Sequence, residues 1–343
     1  MNESRIERFD DEDSWNAFVR SQDGWTHFHL FEWKQVIEKV FGHECIYLTQ
    51  LNADQGIEGV LPLVRVKSRL FGHFLVSMPF VNYGGPLGST GAVQGLTKHA
   101  AELAGENGAD LLELRCRGDL GLELPVSNRK ITVLLDLPPN DPDLLWKSLK
   151  AKVRSQVRRP QKEGVEVRFG RDQIDPFYDV FCRHMRDLGT PTLPLSLFET
   201  IAEKFTNDVW CACAYLNGAP IAAGLGFRWD NEFEMTWASA LQAFNRIAPN
   251  MLLYWSFLER AINEGVTLFN FGRCTPGGGT HRFKLQWGSR EEPLWWYQVQ
   301  KNEVTTGTPS PDDAKYAWGP RIWKRLPLPV ANCVGPRVVR YIP

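Results

Sequence analysis

The chain repeats one order of elements, and that repeat restricts its fold more than any single motif. In the first half an expected strand, Ile46 to Leu51, turns through Asn52-Ala53-Asp54-Gln55-Gly56 into a second, Ile57 to Val66. A later helix there ends in Glu106-Asn107-Gly108 before the strand Asp110 to Arg115. In the second half Cys211 to Leu216 turns through Asn217-Gly218 into Pro220 to Phe227, and a later helix ends in Asn263-Glu264-Gly265 before Val266 to Phe271. Asn-Gly between period-two segments is a hairpin signal, and glycine behind a helix reads as its C-terminal cap. A length of 343 residues also exceeds the roughly 250–300 residues at which one hydrophobic core stops growing. Two consecutive lobes of the α/β (α+β) class follow, with mixed, mostly antiparallel sheets flanked by helices. The expected divisions are residues 1–140, residues 141–305 and a C-terminal tail, 306–343, packing back on the lobes.

Helices are expected at Ser14 to Arg20, Leu30 to Phe41, Ala92 to Glu106, Asp175 to Leu188, Ser196 to Phe205 and Asn250 to Asn263. Between the two copies, Asp141 to Arg159 reads as one amphipathic helix. Leu145, Leu149, Val153 and Val157 recur at i, i+4, Asp141-Pro142 suits its start, and Pro160 stops the pattern. Its other face is basic through Lys147, Lys150, Arg154 and Arg158, a candidate contact for an anionic ligand or RNA.

The stretch richest in chemical signal is Leu268-Phe269-Asn270-Phe271-Gly272-Arg273, followed by Gly277-Gly278-Gly279 and then Thr280-His281-Arg282-Phe283-Lys284-Leu285-Gln286-Trp287-Gly288. Read as a returning strand, Thr280 to Trp287 puts His281, Phe283, Leu285 and Trp287 on one face and Arg282, Lys284 and Gln286 on the other. Lys284 is then either a solvated surface lysine or a cation brought to a cleft, where it would stabilise an oxyanion. Arg273, at the mouth of the same loop, has the fork geometry to hold a phosphate or carboxylate.

Several classes are excluded or disfavoured. Lysine plus arginine, 39, balance aspartate plus glutamate, 40, which argues against a protein built mainly to neutralise a polyphosphate. No leader-like or membrane-spanning apolar run occurs, so a cytoplasmic location is expected. Seven dispersed cysteines read as reduced, mostly buried thiols. No metal site is expected: there is no Cys-x-x-Cys pair, and His27 and His29 lack a matching second half. No nucleophile-elbow sequence and no phosphate-loop context are present. From Trp318 onward prolines Pro320, Pro327, Pro329, Pro336 and Pro343 punctuate basic and aromatic residues. That spacing predicts an extended tail, with peripheral contact to an anionic membrane face as its functional alternative.

Taken together, several segments resemble the Fem-type (FemABX) aminoacyl transferases, which are built from two lobes of the GNAT acyltransferase fold. They are His29-Leu30-Phe31-Glu32-Trp33, Gly59-Val60-Leu61-Pro62-Leu63, Pro79-Phe80-Val81-Asn82-Tyr83-Gly84-Gly85-Pro86, Lys152 to Pro160, Phe269 to Arg273 and Arg282 to Gly288. The resemblance covers nearly the whole chain. Ser77 to Gly85 and Gly279 to Lys284 look closest to the FemAB-like proteins associated with exosortase and PEP-CTERM exopolysaccharide gene clusters.

The resemblance implies a transferase in which Phe283 and Lys284 match the reaction-centre pair that contacts the aminoacyl donor. It places Trp33, Lys34, Asn82 and Tyr83 of the first lobe, and Arg273 and Arg282 of the second, among substrate-binding residues, beside Arg154 and Arg158 of the basic helix. The implied donor is an aminoacyl-tRNA or an acyl carrier protein, and the acceptor an amine of an envelope or exopolysaccharide precursor. No resident cofactor is implied. Two departures matter. Leu188 to Pro194 offers no arginine for the nucleotide phosphates of a UDP-linked peptidoglycan precursor, and Ala240 to Asn250 lacks the glycines of an acetyl-CoA loop. The alternatives are a non-catalytic GNAT-like binding module in exopolysaccharide assembly and an N-acyl amino acid synthase using acyl carrier protein.

Overall fold

The structure is a computed structural model that describes residues 5–301 and 318–343. Its strands in chain order are β1 (Arg5–Arg8), β2 (Glu44–Leu51), β3 (Ile57–Ser68), β4 (Gly72–Val76), β5 (Leu87–Gly88), β6 (Leu111–Cys116), β7 (Val126–Ser127) and β8 (Ile131–Asp136). They continue with β9 (Glu166–Phe169), β10 (Val209–Leu216), β11 (Ala219–Trp229), β12 (Glu232–Ala240), β13 (Leu268–Cys274), β14 (Arg290–Pro293) and β15 (Trp295–Gln300). The helices are α1 (Glu12–Ser21), α2 (Glu32–Phe41), α3 (Thr90–Glu106), α4 (Pro142–Ser148), α5 (Ala151–Lys162), α6 (Ile174–Leu188), α7 (Leu195–Lys204), α8 (Pro249–Asn263), α9 (Gly279–Leu285), α10 (Trp318–Trp323) and α11 (Leu328–Val339).

Two compact units result, one drawn from Met1–Arg129, Pro293–Ser310 and Arg337–Pro343, the other from Lys130–Glu292 and Pro311–Pro336. The first sheet runs β1-β2-β3-β4-β6-β15-β7 with β5 on β3, and the second runs β14-β8-β13-β12-β11-β10-β9. The pairing therefore does not divide at residue 140 or 305. β8, ahead of residue 140, lies antiparallel to β13 in the second sheet, and β15 returns antiparallel to β6 in the first.

The repeat is realised by local chemistry. Asn217 and Gly218 take φ of 51° and 79°, the two left-handed residues of a type I′ hairpin joining Leu216 to Ala219. In the first unit Asn52 Oδ1 accepts from the backbone N–H of Asp54 at 2.9 Å and Gly56 at 2.8 Å. Gly108 and Gly265, at φ 64° and 79°, follow α3 and α8 as left-handed C-terminal residues. In each unit two strands then pair in parallel over three residues. β4 pairs β6 through Phe74↔Leu111, Leu75↔Leu112 and Val76↔Glu113, and β12 pairs β13 through Glu232↔Leu268, Phe233↔Phe269 and Glu234↔Asn270. Beyond the third pair both parallel ladders end.

Three expectations change. The single helix over 141–159 is two: Leu149 and Lys150 are extended at ψ 143° and 144°, and Arg154 Nη1 bonds the α4 end carbonyls Lys147 O at 3.1 Å and Leu149 O at 2.7 Å. Pro160 does not stop the second helix, because it falls in the last turn, where only one intrahelical bond is forfeited. The tail is helical over α10 and α11 rather than extended, and its expected start, 306–317, lies outside the described residues. Pro329 sits in the first turn of α11, where no backbone donor is needed. Six cysteines are buried and Cys333 is exposed. Among the described residues no helix is long and apolar enough to cross a membrane.

The second core packs Phe233, Phe257, Phe269, Phe271 and Trp287 around the β12–β13 pair. Gly226 of β11 has no room for a side chain there, since a Cβ would run into the Glu234 carbonyl and the Phe233 ring. Gly226→Ala is expected to lower unfolding free energy by about 1–3 kcal/mol, read as a lower denaturant midpoint; an unchanged midpoint would contradict this packing.

Candidate active site

The site is organised where β13 leaves its neighbour. The β13–β8 register shifts between Asn270 and Arg273, and Gly272 takes φ 72°, a left-handed conformation that glycine adopts without penalty. Asn270, fully buried, holds the turn from inside. Its Oδ1 accepts from Gly272 N at 2.8 Å and from Thr132 Oγ1 at 2.6 Å. Its Nδ2 donates to Glu232 Oε1 at 2.9 Å and Glu234 Oε2 at 3.2 Å, and Thr236 Oγ1 donates to Glu234 Oε1 at 3.1 Å. Both carboxylates are buried.

Lys284 closes the other side of the bulge. Its Nζ donates to Gly272 O at 2.7 Å and Arg273 O at 3.0 Å. An ammonium has three donors, and the third has no partner among the described residues. The side chain is 3 % exposed. Burial pushes its pKa down to about 8, with Arg273 adding to the shift and Cys274 and Glu234 opposing it.

The segment carrying Lys284 is the helix α9, not a strand. His281 and Lys284, placed on opposite faces by period-two reading, are one turn apart and both buried. Eight residues that satisfy alternation also fit a single helical turn pair, and the glycine run before them supplies the loop that a helix start needs. His281 Nδ1 accepts from Gly277 N at 2.9 Å, which assigns the proton to Nε2, the donor to Glu291 Oε1 at 2.9 Å. These bonds tie the start of the glycine loop to β14 through His281.

The other expected residues fall as follows. Phe283 is half-buried and packs edge-on against Tyr254 at 4.9 Å and Trp287 at 6.4 Å, seating α9 on α8. Arg282 is exposed and donates to Gly277 O at 3.3 Å, and Arg273 is half-buried on the bulge itself. Arg154 caps α4, and the Arg158 guanidinium lies 5.1 Å from the Trp146 ring, so the basic face is partly structural. Trp33, Lys34, Asn82 and Tyr83 belong to the other unit. Trp33 is fully buried and donates to His27 O at 3.1 Å. Lys34 pairs with Asp10. Asn82 and Tyr83 are buried in a loop whose Met78 and Phe80 have φ of 54° and 72°.

Sequence reading did not find Glu232, Glu234, Thr132 or the bridging role of Asn270. The available signal was Glu232-Phe233-Glu234-Met235, two carboxylates at strand spacing between large apolar residues. The position that matches Asn270 in the first unit carries Glu113, which accepts from Arg115 Nε at 2.8 Å and Gln298 Nε2 at 2.8 Å. Arg115 in turn lies 4.5 Å from the Trp296 ring centroid.

Two α/β units that each part a parallel strand pair after a helix-return connection make a tandem GNAT fold. Residues 147–285 match the family model described as an acetyltransferase (GNAT) domain, a range that closes one residue after Lys284. The crystal structure of FemX superposes with a TM-score of 0.67 at 15 % identity, covering 86 % of this chain and 97 % of that one. L-PGS from Bacillus licheniformis does so with 0.58 at 14 %, covering 93 % and 99 %. A tandem GNAT protein from the clavulanic acid biosynthesis pathway gives 0.51 at 12 %, covering 88 % and 100 %. The chain thus has the FemAB-like tandem GNAT fold. No curated protein sequence matches it.

The lowered pKa fixes a sign for stability. An unfolded lysine titrates near 10.5 and the folded one near 8, so between those values the unfolded chain binds more protons and stability rises with pH. Below about 8 the cost of burying the ammonium is present in full. The rise amounts to at most about 3 kcal/mol. Denaturant unfolding from pH 7 to 10.5 is expected to show it in the native protein relative to Lys284→Met; parallel pH profiles would contradict a buried, charged Lys284.

Proposed function

We propose that the protein is a GNAT-type acyltransferase that moves an aminoacyl or other acyl group onto an amine of an envelope or exopolysaccharide precursor. The observation that carries this reading is Lys284: a buried ammonium with two donors on backbone carbonyls and one left over. Amine attack on an ester or thioester forms a C–N bond and breaks the bond from the acyl carbon to its carrier. Negative charge builds on the carbonyl oxygen in between. A pre-positioned ammonium in a low-dielectric site stabilises that charge without reorganising. The attacking amine enters neutral, and its surplus proton passes to the leaving carrier oxygen or sulfur, directly or through water.

The match of residues 147–285 to the acetyltransferase (GNAT) domain supports acyl transfer, and the exposed Arg158, Arg159 and Lys162 on α5 supply positive charge for a tRNA or acyl carrier protein that delivers the donor. The link to exosortase and PEP-CTERM clusters rests on the Ser77–Gly85 and Gly279–Lys284 segments alone. One observation favours the non-catalytic alternative: Lys34 and Arg154, both expected at substrate, have partners within the protein.

Lys284→Ala is expected to lower turnover about 10²–10³-fold with an unchanged circular-dichroism spectrum, measured by mass-spectrometric detection of the acylated amine from aminoacyl-tRNA, acyl carrier protein or acetyl-CoA. Because the ammonium is the active form, native turnover should decline above pH about 8, and the residual activity of Lys284→Arg should not. Undiminished turnover in Lys284→Ala would remove the assignment.

A further inference from the structure

Apart from the Lys284 site, the second unit holds an open cavity of about 520 Å³, within the ~300–1,000 Å³ range of pockets that bury small ligands. Its walls are Leu135 and Leu137 at the end of β8, Leu145 and Leu149 around α4, and Leu285 and Trp287 around the end of α9. All but the half-buried Leu285 are buried.

Trp287, 1 % exposed, closes the inner wall and is itself backed by the rings of Tyr254, Phe271 and Phe283. Two observations at the rim separate this space from a packing gap. At the rim Leu144 is 52 % exposed, continuing the apolar wall to solvent. The rim charges are also unequal. Asp136 accepts from Arg290 at 2.5 Å, whereas the exposed Lys150 makes no ion pair among the described residues. An apolar slot with one unmatched cation at its rim describes an amphiphile with an aliphatic body and a negative end.

We propose that this cavity seats an aliphatic acyl chain with its negative charge toward Lys150. The proposal rests on the acyl-transfer reading and deepens it. Residues 285–288, which follow Lys284 in the chain, line the cavity, and the donor that the proposal adds to the acyl-transfer reading is a fatty acyl group. A free fatty acid and an acyl group on the phosphopantetheine of a carrier protein share this chemistry.

The test is equilibrium titration of the full-length protein with octanoate, decanoate and dodecanoate, followed by tryptophan fluorescence and calorimetry, and with dodecanoyl-loaded carrier protein. Affinity should rise by up to about fourfold per added methylene. Lys150→Glu should weaken dodecanoate binding about two- to fivefold at low salt, and Leu149→Phe, which narrows the cavity, should weaken the longest chain most. If Leu149→Phe fails to fold, the chain-length series on the native protein still decides. Tighter binding of the loaded carrier than of dodecanoate identifies the carrier as the source, and the reverse identifies the free acid. Absence of saturable binding, or affinity indifferent to chain length and to Lys150→Glu, overturns the proposal. Chain-graded binding that persists in Lys284→Ala, without acyl transfer by the native protein, would uphold the cavity while removing the transferase reading. Transfer from aminoacyl-tRNA with no chain-graded binding would do the opposite.

Discussion

An ammonium group held in the protein interior by two backbone carbonyls is the interaction on which the second unit's site depends. Strand β13 shifts its register against β8 between Asn270 and Arg273 and turns through Gly272, and Lys284 Nζ meets the carbonyls of Gly272 and Arg273. The dependence is mutual. A buried carbonyl without a donor costs about 1–3 kcal/mol, and a buried ammonium without acceptors costs more. Asn270 fixes the geometry from the opposite side by bridging Gly272, Thr132 and the two buried carboxylates. The same burial that lowers the Lys284 pKa to about 8 is what would strengthen its action on developing charge, since both follow from the low local dielectric.

The two units use one plan and diverge at its most sensitive point. In each, the third parallel pair ends the ladder and brings a polar residue inward, Glu113 in one and Asn270 in the other. The first unit resolves its buried charge internally: Glu113 receives Arg115 and Gln298, and the Arg115 guanidinium lies over Trp296. The second replaces that closed pair with a glycine bulge and imports its cation from α9. A fully paired buried ion pair favours a single conformation and has little to offer a substrate. An ammonium with one donor to spare can still meet a substrate oxygen, which is why the proposed chemistry is placed in the second unit.

Much of the scaffold was legible because it is written in short-range rules. Asn217-Gly218, Gly108 and Gly265 each require left-handed backbone and each sits where the turn or cap was expected. The GNAT-like tandem was likewise legible from segment order and from the resemblance those segments carry. The misread elements are those where long-range packing overrides local pattern. Thr280 to Trp287 alternates well enough for a strand, but seven residues of α9 can satisfy two periods at once, and only packing against β13 and β8 decides. The break between α4 and α5 is invisible in the i, i+4 leucines and valines because Arg154, eight residues past Trp146, caps the first helix from the second. The Glu232–Glu234–Asn270 cluster was missed for a related reason: its members are 36–38 residues apart in sequence and meet only through parallel pairing.

The central claim, that Lys284 is a desolvated ammonium at the β13 bulge, is tested most directly by following the ε-carbon resonance of Lys284 across pH in protein labelled with ¹³C-lysine, assigned by its loss in Lys284→Arg. A midpoint near 8 is the predicted result. A midpoint in the ordinary lysine range, about 10.4, would mean that the group is hydrated, and the account of the site would fail with it.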